Sequence, residues 1–154
     1  MSADSQEHAQ PQPAGPRIVV GVDGSDSSLR ALDWAARQAE LTRVALEVIM
    51  TWEFPVTYGW SPQFPTDWDP RADIAKSLDE IIGWLRQAHP AVDIHPRVLE
   101  GHPAPVLIEA SRGAELLVVG SRGHGEFAGM LLGSVGEHCV THAHCPVAVV
   151  RENR

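Results

Sequence analysis

Short apolar runs alternate along the chain with longer segments whose apolar residues recur at helical spacing. Continuous apolar runs of about four to eight residues are typical of strands buried on both faces of a parallel sheet. The predicted strands are 17–22, 45–51, 92–99, 116–119 and 146–150. Pro96 interrupts the third run, which indicates a broken strand at the edge of the sheet.

The segments between the strands carry helix signals. Helices are predicted over 27–42, 71–89, 103–112 and from about 133 to 142. The turn 23–26 supplies the N-cap of the first helix, and Gly113 follows the third helix as a C-cap. Strands that alternate with helices predict the α/β class, with a parallel sheet and helices on both of its faces.

Two segments fall outside this alternation. Residues 1–16 are rich in Gln, Pro, Ala and His, so we expect a disordered tail ahead of one domain over 17–152. Residues 52–70 form a long loop that contains Trp52, Trp60 and Trp68. Loops of this length are often functional. Trp60 and Trp68 either pack this loop onto the domain, cover a bound base or contact a partner.

The segment 120–134 reads GSRGHGEFAGMLLGS and follows a predicted buried strand. Glycines allow a backbone to approach a ligand closely, and the N–H groups at a helix N-terminus hold anions. Gly133 and Ser134 open the next helix, where those N–H groups would point. The pattern indicates a nucleotide phosphate site, although a tight structural connection has the same spacing.

A second glycine cluster, 21–25, also follows a strand of the predicted sheet. Open α/β sheets bind ligands at the carboxyl ends of strands, where the strand order reverses. If the strands ahead of the two clusters are neighbours there, both clusters face one crevice. The crevice is therefore the predicted ligand site.

Composition and charge exclude several classes of protein. The chain has 154 residues, 44% hydrophobic, and a net charge of −8, which argues for one globular domain and against a general nucleic-acid or anionic-membrane surface. No apolar run approaches the ~20 residues that cross a bilayer, and no signal peptide is evident. We expect a cytoplasmic protein in which Cys139 and Cys145 are reduced thiols.

Three stretches resemble the universal stress protein family. They are 18–25 (IVVGVDGS) with the helix after it, the glycine loop Gly120-x2-Gly123-x9-Gly133-Ser134, and the closing segment 145–150 (CPVAVV). The resemblance covers residues 16 to 152. It implies a five-stranded, Rossmann-like parallel sheet of the adenine nucleotide α-hydrolase type. The intact glycine pattern is that of the members that bind ATP.

The resemblance also implies a binding site for ATP with Mg²⁺. Gly120 and Gly123 would follow the ribose and phosphates, Asp23 would meet the ribose or the metal, and Thr51 would contact the adenine edge. The full set of expected site residues is Gly21, Asp23, Thr51, Gly120, Arg122, Gly123, His124, Gly125, Gly133, Ser134 and Val135. Asp23 has the alternative role of a turn or helix cap, Ser134 that of an N-cap, and Arg122 that of an exposed loop residue.

Family members commonly form homodimers, which here would pair through the last strand, Val147 to Val150. The histidine and cysteine cluster 138–145 has metal-ligating side chains but no C-x2-C pair, so packing and solvent exposure explain it better. Trp34 is expected to pack in its helix.

No lysine follows the Walker A pattern and no G-x-S-x-G elbow is present, so at most slow ATP hydrolysis or self-phosphorylation is expected. Three hypotheses remain. The first is an ATP-binding regulator of the stress response, in which bound nucleotide changes a surface read by an unknown regulatory partner. The second is a nucleotide-free dimeric interaction module. The third is a small enzyme of the adenine nucleotide α-hydrolase type.

Overall fold

The computed structural model describes residues 12–54, 67–122 and 132–152. Its strands are β1 (Arg17–Gly21), β2 (Ala45–Trp52), β3 (Ile94–Glu100), β4 (Leu116–Gly120) and β5 (Val147–Val150). Its helices are α1 (Asp26–Thr42), α2 (Pro70–Ala88), α3 (Pro103–Ala110) and α4 (Ser134–His142). The predicted α/β class is confirmed, and each predicted element is present with its ends within two residues of the prediction.

The described strands form one parallel sheet with the order β3-β2-β1-β4-β5. The order reverses between β1 and β4, which pair directly, with Ile18 opposite Leu116 and Val20 opposite Val118. The carboxyl ends of these two strands therefore lie side by side. The strands that precede the two glycine clusters are neighbours at the reversal, so the condition for a shared crevice is met.

β3 lies at one edge of the sheet, as Pro96 indicated, but the strand is continuous rather than broken. The carbonyl of Asp93 accepts a hydrogen bond from Leu46 N of β2 at 2.9 Å. The backbone N–H and C=O groups of successive residues in a strand point alternately to its two sides. Those of Asp93 face β2, so the backbone nitrogen of Pro96, three positions after Asp93, faces away from β2. The missing N–H of proline thus removes no hydrogen bond from the sheet.

Alternate residues of the strands build two cores, one on each face of the sheet. Ile18 and Val20 belong to the larger core, which packs under α1 and α2 with Leu32, Leu78 and Leu85. The smaller core lies under α3 and α4; its buried members are Val19, Ile49, Leu107, Ala110, Leu117, Val119 and Cys139. Trp34 packs against the larger core, as predicted.

The helix ends follow their local sequence. Ser25 is the N-cap of α1, and its side chain accepts a hydrogen bond from Ser28 N at 3.3 Å. The predicted C-cap of α3 is wrong, because the helix ends at Ala110 and Ser111 is its C-cap. The Ser111 hydroxyl donates to the carbonyl of Ile108 at 2.6 Å and closes the last turn. Gly113 instead supplies a positive φ of 73° in the turn that follows.

A charged cluster is buried near the amino ends of the strands, on the face of the sheet that α3 covers. Glu47 of β2 is fully buried and accepts hydrogen bonds from Arg17 Nε of β1, at 2.8 Å, and from Arg97 of β3. Arg17 also donates to the carbonyls of Ala110 and Arg112, at 2.9 and 3.0 Å. The cluster therefore ties three strands to the end of α3. We call it the Glu47 network.

Part of the predicted tail contacts the domain. The carbonyl of Pro16 accepts a hydrogen bond from Ala45 N at 3.3 Å, and Pro13 is buried. Residues 1–11 lie outside the described residues. Among the helices of the described part, none has the length and apolar character needed to cross a bilayer.

Candidate functional site

A cavity of about 150 Å³ opens at the reversal of strand order. Residues near the carboxyl ends of β1, β2 and β4 line it, together with residues from the first two turns of α1, α2, α3 and α4. Its lining residues are Gly21, Val22, Asp23, Ser28, Ile49, Met50, Thr51, Ile74, Pro103, Leu107, Val119, Gly120, Arg122, Gly133, Val135 and Gly136. We call this cavity the switch-point cleft.

Gly120 lets α1 approach the sheet at this cleft. A Cβ added at Gly120 would lie 2.6 Å from Ser27 Oγ and 2.8 Å from the Ser27 carbonyl oxygen. Ser27 Oγ in turn accepts a hydrogen bond from Arg122 N at 3.2 Å. The glycine predicted to follow a ligand therefore also has a packing role, because it brings the start of α1 against the end of β4.

The start of α4 presents backbone donors to the cleft. Glu137 N makes the first hydrogen bond of this helix, to the carbonyl of Gly133 at 2.9 Å. The N–H groups of Val135 and Gly136 precede that bond, so they have no acceptor within the helix. Gly133 is the N-cap residue of α4 and has no side chain that could accept a hydrogen bond from these N–H groups. Backbone donors at a helix N-terminus are suited to an anion such as phosphate.

Two charged side chains of opposite sign line the cleft. Asp23 follows β1, and its Oδ1 accepts a hydrogen bond from Ser25 N at 2.9 Å and another from the Ser25 hydroxyl. Arg122 is half-buried just beyond β4. Asp23 thus orders the turn before α1, as its alternative role required, and also lines the cleft.

Comparison with known proteins identifies the family. The sequence pattern of the universal stress protein family matches residues 16–151. The chain belongs to the universal stress protein family. A universal stress protein of Mycobacterium tuberculosis is 35% identical over 150 residues, which are 96% of this chain and 49% of the relative. One from Mycolicibacterium smegmatis is 35% identical over 136 residues, or 87% of this chain and 45% of the relative. The chain spans about half the length of these curated relatives.

Solved structures of universal stress proteins share the fold. One in complex with cAMP is 34% identical, has a TM-score of 0.67, and matches 90% of this chain and 98% of its own. The universal stress protein from Archaeoglobus fulgidus in complex with dAMP has a TM-score of 0.62 over 89% of this chain and 98% of its own. At 22% identity, the second likeness concerns the fold alone.

The structure brings together most of the site residues predicted from the family pattern. Seven of them line the switch-point cleft, namely Gly21, Asp23, Thr51, Gly120, Arg122, Gly133 and Val135. Ser134 lines an adjacent groove instead. Gly123, His124 and Gly125 lie outside the described residues.

Several residues that line the cleft of this universal stress protein were not predicted from its sequence. Ile74 of α2, Pro103 and Leu107 of α3, and Met50 of β2 line the cleft. They lie on elements without a glycine motif, and in the sequence they have the pattern of ordinary core positions. Leu107 marks a close approach: a Cβ at Gly21 would lie 2.5 Å from its Cδ1.

The histidine and cysteine cluster lies at α4 and the turn after it. His138 and His142 stack at 6.4 Å between ring centroids. Burial raises the pKa of the Cys139 thiol to about 11, and it also raises the pKa of Cys145. Both cysteines are free thiols, and Cys139 is buried in the smaller core. No group of three or more His, Cys, Asp or Glu side chains placed to hold a metal occurs in the described parts of the chain.

Trp52, Phe54 and Trp68 form an aromatic cluster where β2 leads into the loop predicted over 52–70. Phe54 makes edge contacts with Trp52 at 5.3 Å and with Trp68 at 6.4 Å between centroids. These two tryptophans therefore pack at the base of the loop. Trp60 lies outside the described residues, which exclude 55–66.

Proposed function

We propose that this universal stress protein binds an adenine nucleotide, ATP with Mg²⁺, in the switch-point cleft and regulates the stress response according to occupancy. The observation that carries the proposal is the position of the α4 N-terminus beside an apolar cavity at the reversal of strand order. Its supports are the family and the cAMP complex of a 34% identical relative. Related folds in complex with AMP and dAMP agree with an adenine nucleotide.

The proposed orientation follows the chemistry of the lining. The apolar side chains of Ile49, Met50 and Ile74 suit the base, and Thr51 offers polar groups to its edge. The first turn of α4 suits the phosphates. Arg122 supplies one positive charge, and Asp23 supplies carboxylate oxygens of the kind that Mg²⁺ prefers when it bridges a protein and a nucleotide. The described lining contains no lysine, so rapid hydrolysis of the P-loop type is not expected.

Thermal unfolding with and without Mg·ATP tests the proposal. A ligand at about a hundredfold its dissociation constant stabilises the folded state by ~2.7 kcal/mol, which raises Tm by roughly 5–10 °C for a domain of this size. We expect that rise for the natural chain and none for Gly133→Asp, because a carboxylate would stand at the N-terminus of α4. AMP is expected to raise Tm with or without EDTA, whereas ATP should lose most of its effect in EDTA.

Gly133→Asn is the matched control. Asn and Asp are comparable N-cap residues of similar size, and φ −72° and ψ 169° at Gly133 suit both. Asn should therefore reduce the rise in Tm less than Asp does, since only the charge differs. If protein free of copurified nucleotide showed no rise with ATP or AMP, nucleotide binding would be excluded. The dimeric interaction module would then become the better hypothesis.

We also propose that the chain forms a homodimer through β5, which has one neighbour in the described sheet. The carbonyl of Pro146 accepts a hydrogen bond from Leu117 N of β4, and that of Val150 accepts one from Ser121 N just beyond β4. By alternation, the backbone groups of Val147 and Val149 point outward. Val149→Pro removes one outward N–H and leaves the β4 ladder intact. Sedimentation equilibrium should give a dimer for the natural chain and a monomer for the variant; equal masses would contradict pairing through this edge.

The same proposal includes a cytoplasmic location and a regulatory partner. It also includes the division of the chain into a tail (1–16) and a domain (17–152). The two free thiols agree with a reducing compartment. A small adenine nucleotide α-hydrolase-type enzyme remains the alternative, and assays of turnover on adenine nucleotides distinguish it from a binding protein.

A further inference from the structure

An apolar groove adjoins the switch-point cleft on the outer side of the α4 N-terminus. It is formed by the first turns of α3 and α4 and has a volume of about 560 Å³. Pro103 and Val135 line both the groove and the cleft, so these two residues form the boundary between them. Ala104, Pro105 and Ile108 complete the α3 side. We call this the α3–α4 groove.

The lining of the groove is unsuited to a polyphosphate. Pro103 and Pro105 have no N–H, so the first turn of α3 offers few backbone donors. The described residues around the groove include neither lysine nor arginine. His102 Nδ1 lies 3.0 Å from Glu53 Oε1, so a carboxylate already stands beside this histidine. The negative charge of Glu53 disfavours the binding of an anion there. Apolar side chains dominate the remaining lining, which favours an apolar occupant.

The first turn of α4 relates the groove to the proposed phosphate position. Val135, the second residue of this turn, is exposed to both the cleft and the groove, whereas Ser134 lines the groove alone. A phosphate held by the N–H groups of this turn would therefore stand where cleft and groove meet. A substituent on that phosphate, on the side away from the ribose, has the groove as its adjacent space.

We propose that the site accepts an adenylate whose phosphate carries an acyl or alkyl group, with that group in the α3–α4 groove. The inference rests on the proposed binding of an adenine nucleotide in the cleft. It assigns the β- and γ-phosphates of ATP to the cleft side, where Arg122 and Asp23 lie. The groove is left for an uncharged chain.

Two esters of AMP with the same charge test the proposal, the methyl ester and the n-hexyl ester. Each buried methylene contributes ~0.8 kcal/mol to transfer from water, so two of them correspond to about a tenfold gain in affinity. Calorimetric titration of the full chain should therefore give a dissociation constant at least about tenfold lower for the hexyl ester than for the methyl ester.

Ala104→Glu distinguishes binding in the groove from non-specific binding of the chain. Ala104 lines the groove and not the cleft, and an acidic residue in the first turn of a helix favours folding. The added carboxylate weakens binding of both esters, because both carry the same phosphate charge, and the hexyl ester should in addition lose its advantage over the methyl ester. Ala72→Glu, at an exposed position in the first turn of α2, is the control and should behave like the natural chain.

The possible outcomes separate this inference from the proposed function. If AMP and both esters bind with equal affinity, nucleotide binding stands and the groove proposal is overturned. The same holds if Ala104→Glu keeps the advantage of the hexyl ester. If neither AMP nor either ester binds, the proposed function fails, and the groove proposal fails with it.

Discussion

Replacing Glu47 by Gln is expected to lower the free energy of unfolding by about 3–5 kcal/mol. The side chain is fully buried and balances the charges of Arg17 and Arg97. Gln has nearly the same shape but no charge, so the two guanidinium groups would be left without their buried counter-charge. Urea unfolding followed by circular dichroism measures the loss as a lower midpoint at unchanged slope.

Glu109→Gln is the matched control for this substitution. Glu109 of α3 pairs with Arg112, just beyond the end of the helix, at 3.0 Å, and both side chains are more than half exposed. Exposed ion pairs contribute less than about 1 kcal/mol, so this variant should unfold almost like the natural chain. A loss of similar size in the two variants would contradict the importance assigned to the Glu47 network.

Replacing Gly120 by Ala is expected to destabilise the fold by about 2–3 kcal/mol and to weaken adenine nucleotide binding at least about tenfold. The new Cβ would lie 2.8 Å and 2.9 Å from the carbonyl oxygen and carbon of Ser27, which are backbone atoms and cannot rotate away. The start of α1 must therefore move from the end of β4, and the cleft lies between them. Urea unfolding and calorimetric titration with AMP measure the two effects.

Gly83→Ala is the control, and its expected effect on stability is opposite to that of Gly120→Ala. Gly83 lies inside α2, and an added Cβ would have nothing within 4 Å. Alanine should stabilise this helix by about 0.5–1 kcal/mol and leave nucleotide affinity unchanged. If Gly120→Ala were as well tolerated as Gly83→Ala, close packing of α1 on β4 would not be what determines the shape of the cleft.

The sequence predicted the fold and the place of the cleft because both depend on local patterns. Apolar runs, helix caps and glycine clusters are features of short segments, and the rule for open α/β sheets then brings the clusters after β1 and β4 together. Pro96 correctly indicated that β3 lies at an edge of the sheet. The expected break at Pro96 does not occur, because its missing N–H would face away from β2. That direction depends on the pairing register, which the sequence alone does not show.

Features that depend on contacts between distant segments could not be predicted. Nothing near Glu47 in the sequence shows that Arg17 and Arg97 meet it in the sheet, 30 and 50 positions away. The contact of Gly120 with Ser27 and the contribution of Leu107 to the cleft likewise require the packed helices. The position of Ser134 in the groove beside the cleft likewise depends on the orientation of α4, which motif spacing does not give.

The central position of β1 has a consequence for folding during synthesis. Its hydrogen-bonding partners are β2, which follows within about thirty residues, and β4, which is made only after α3. A nascent chain that has reached β3 can bury the face under α1 and α2, but the side of β1 that awaits β4 is still an open, apolar strand edge. Such edges recruit other chains. The interval between the emergence of β3 and β4 is therefore the stage at which this domain is most exposed to aggregation.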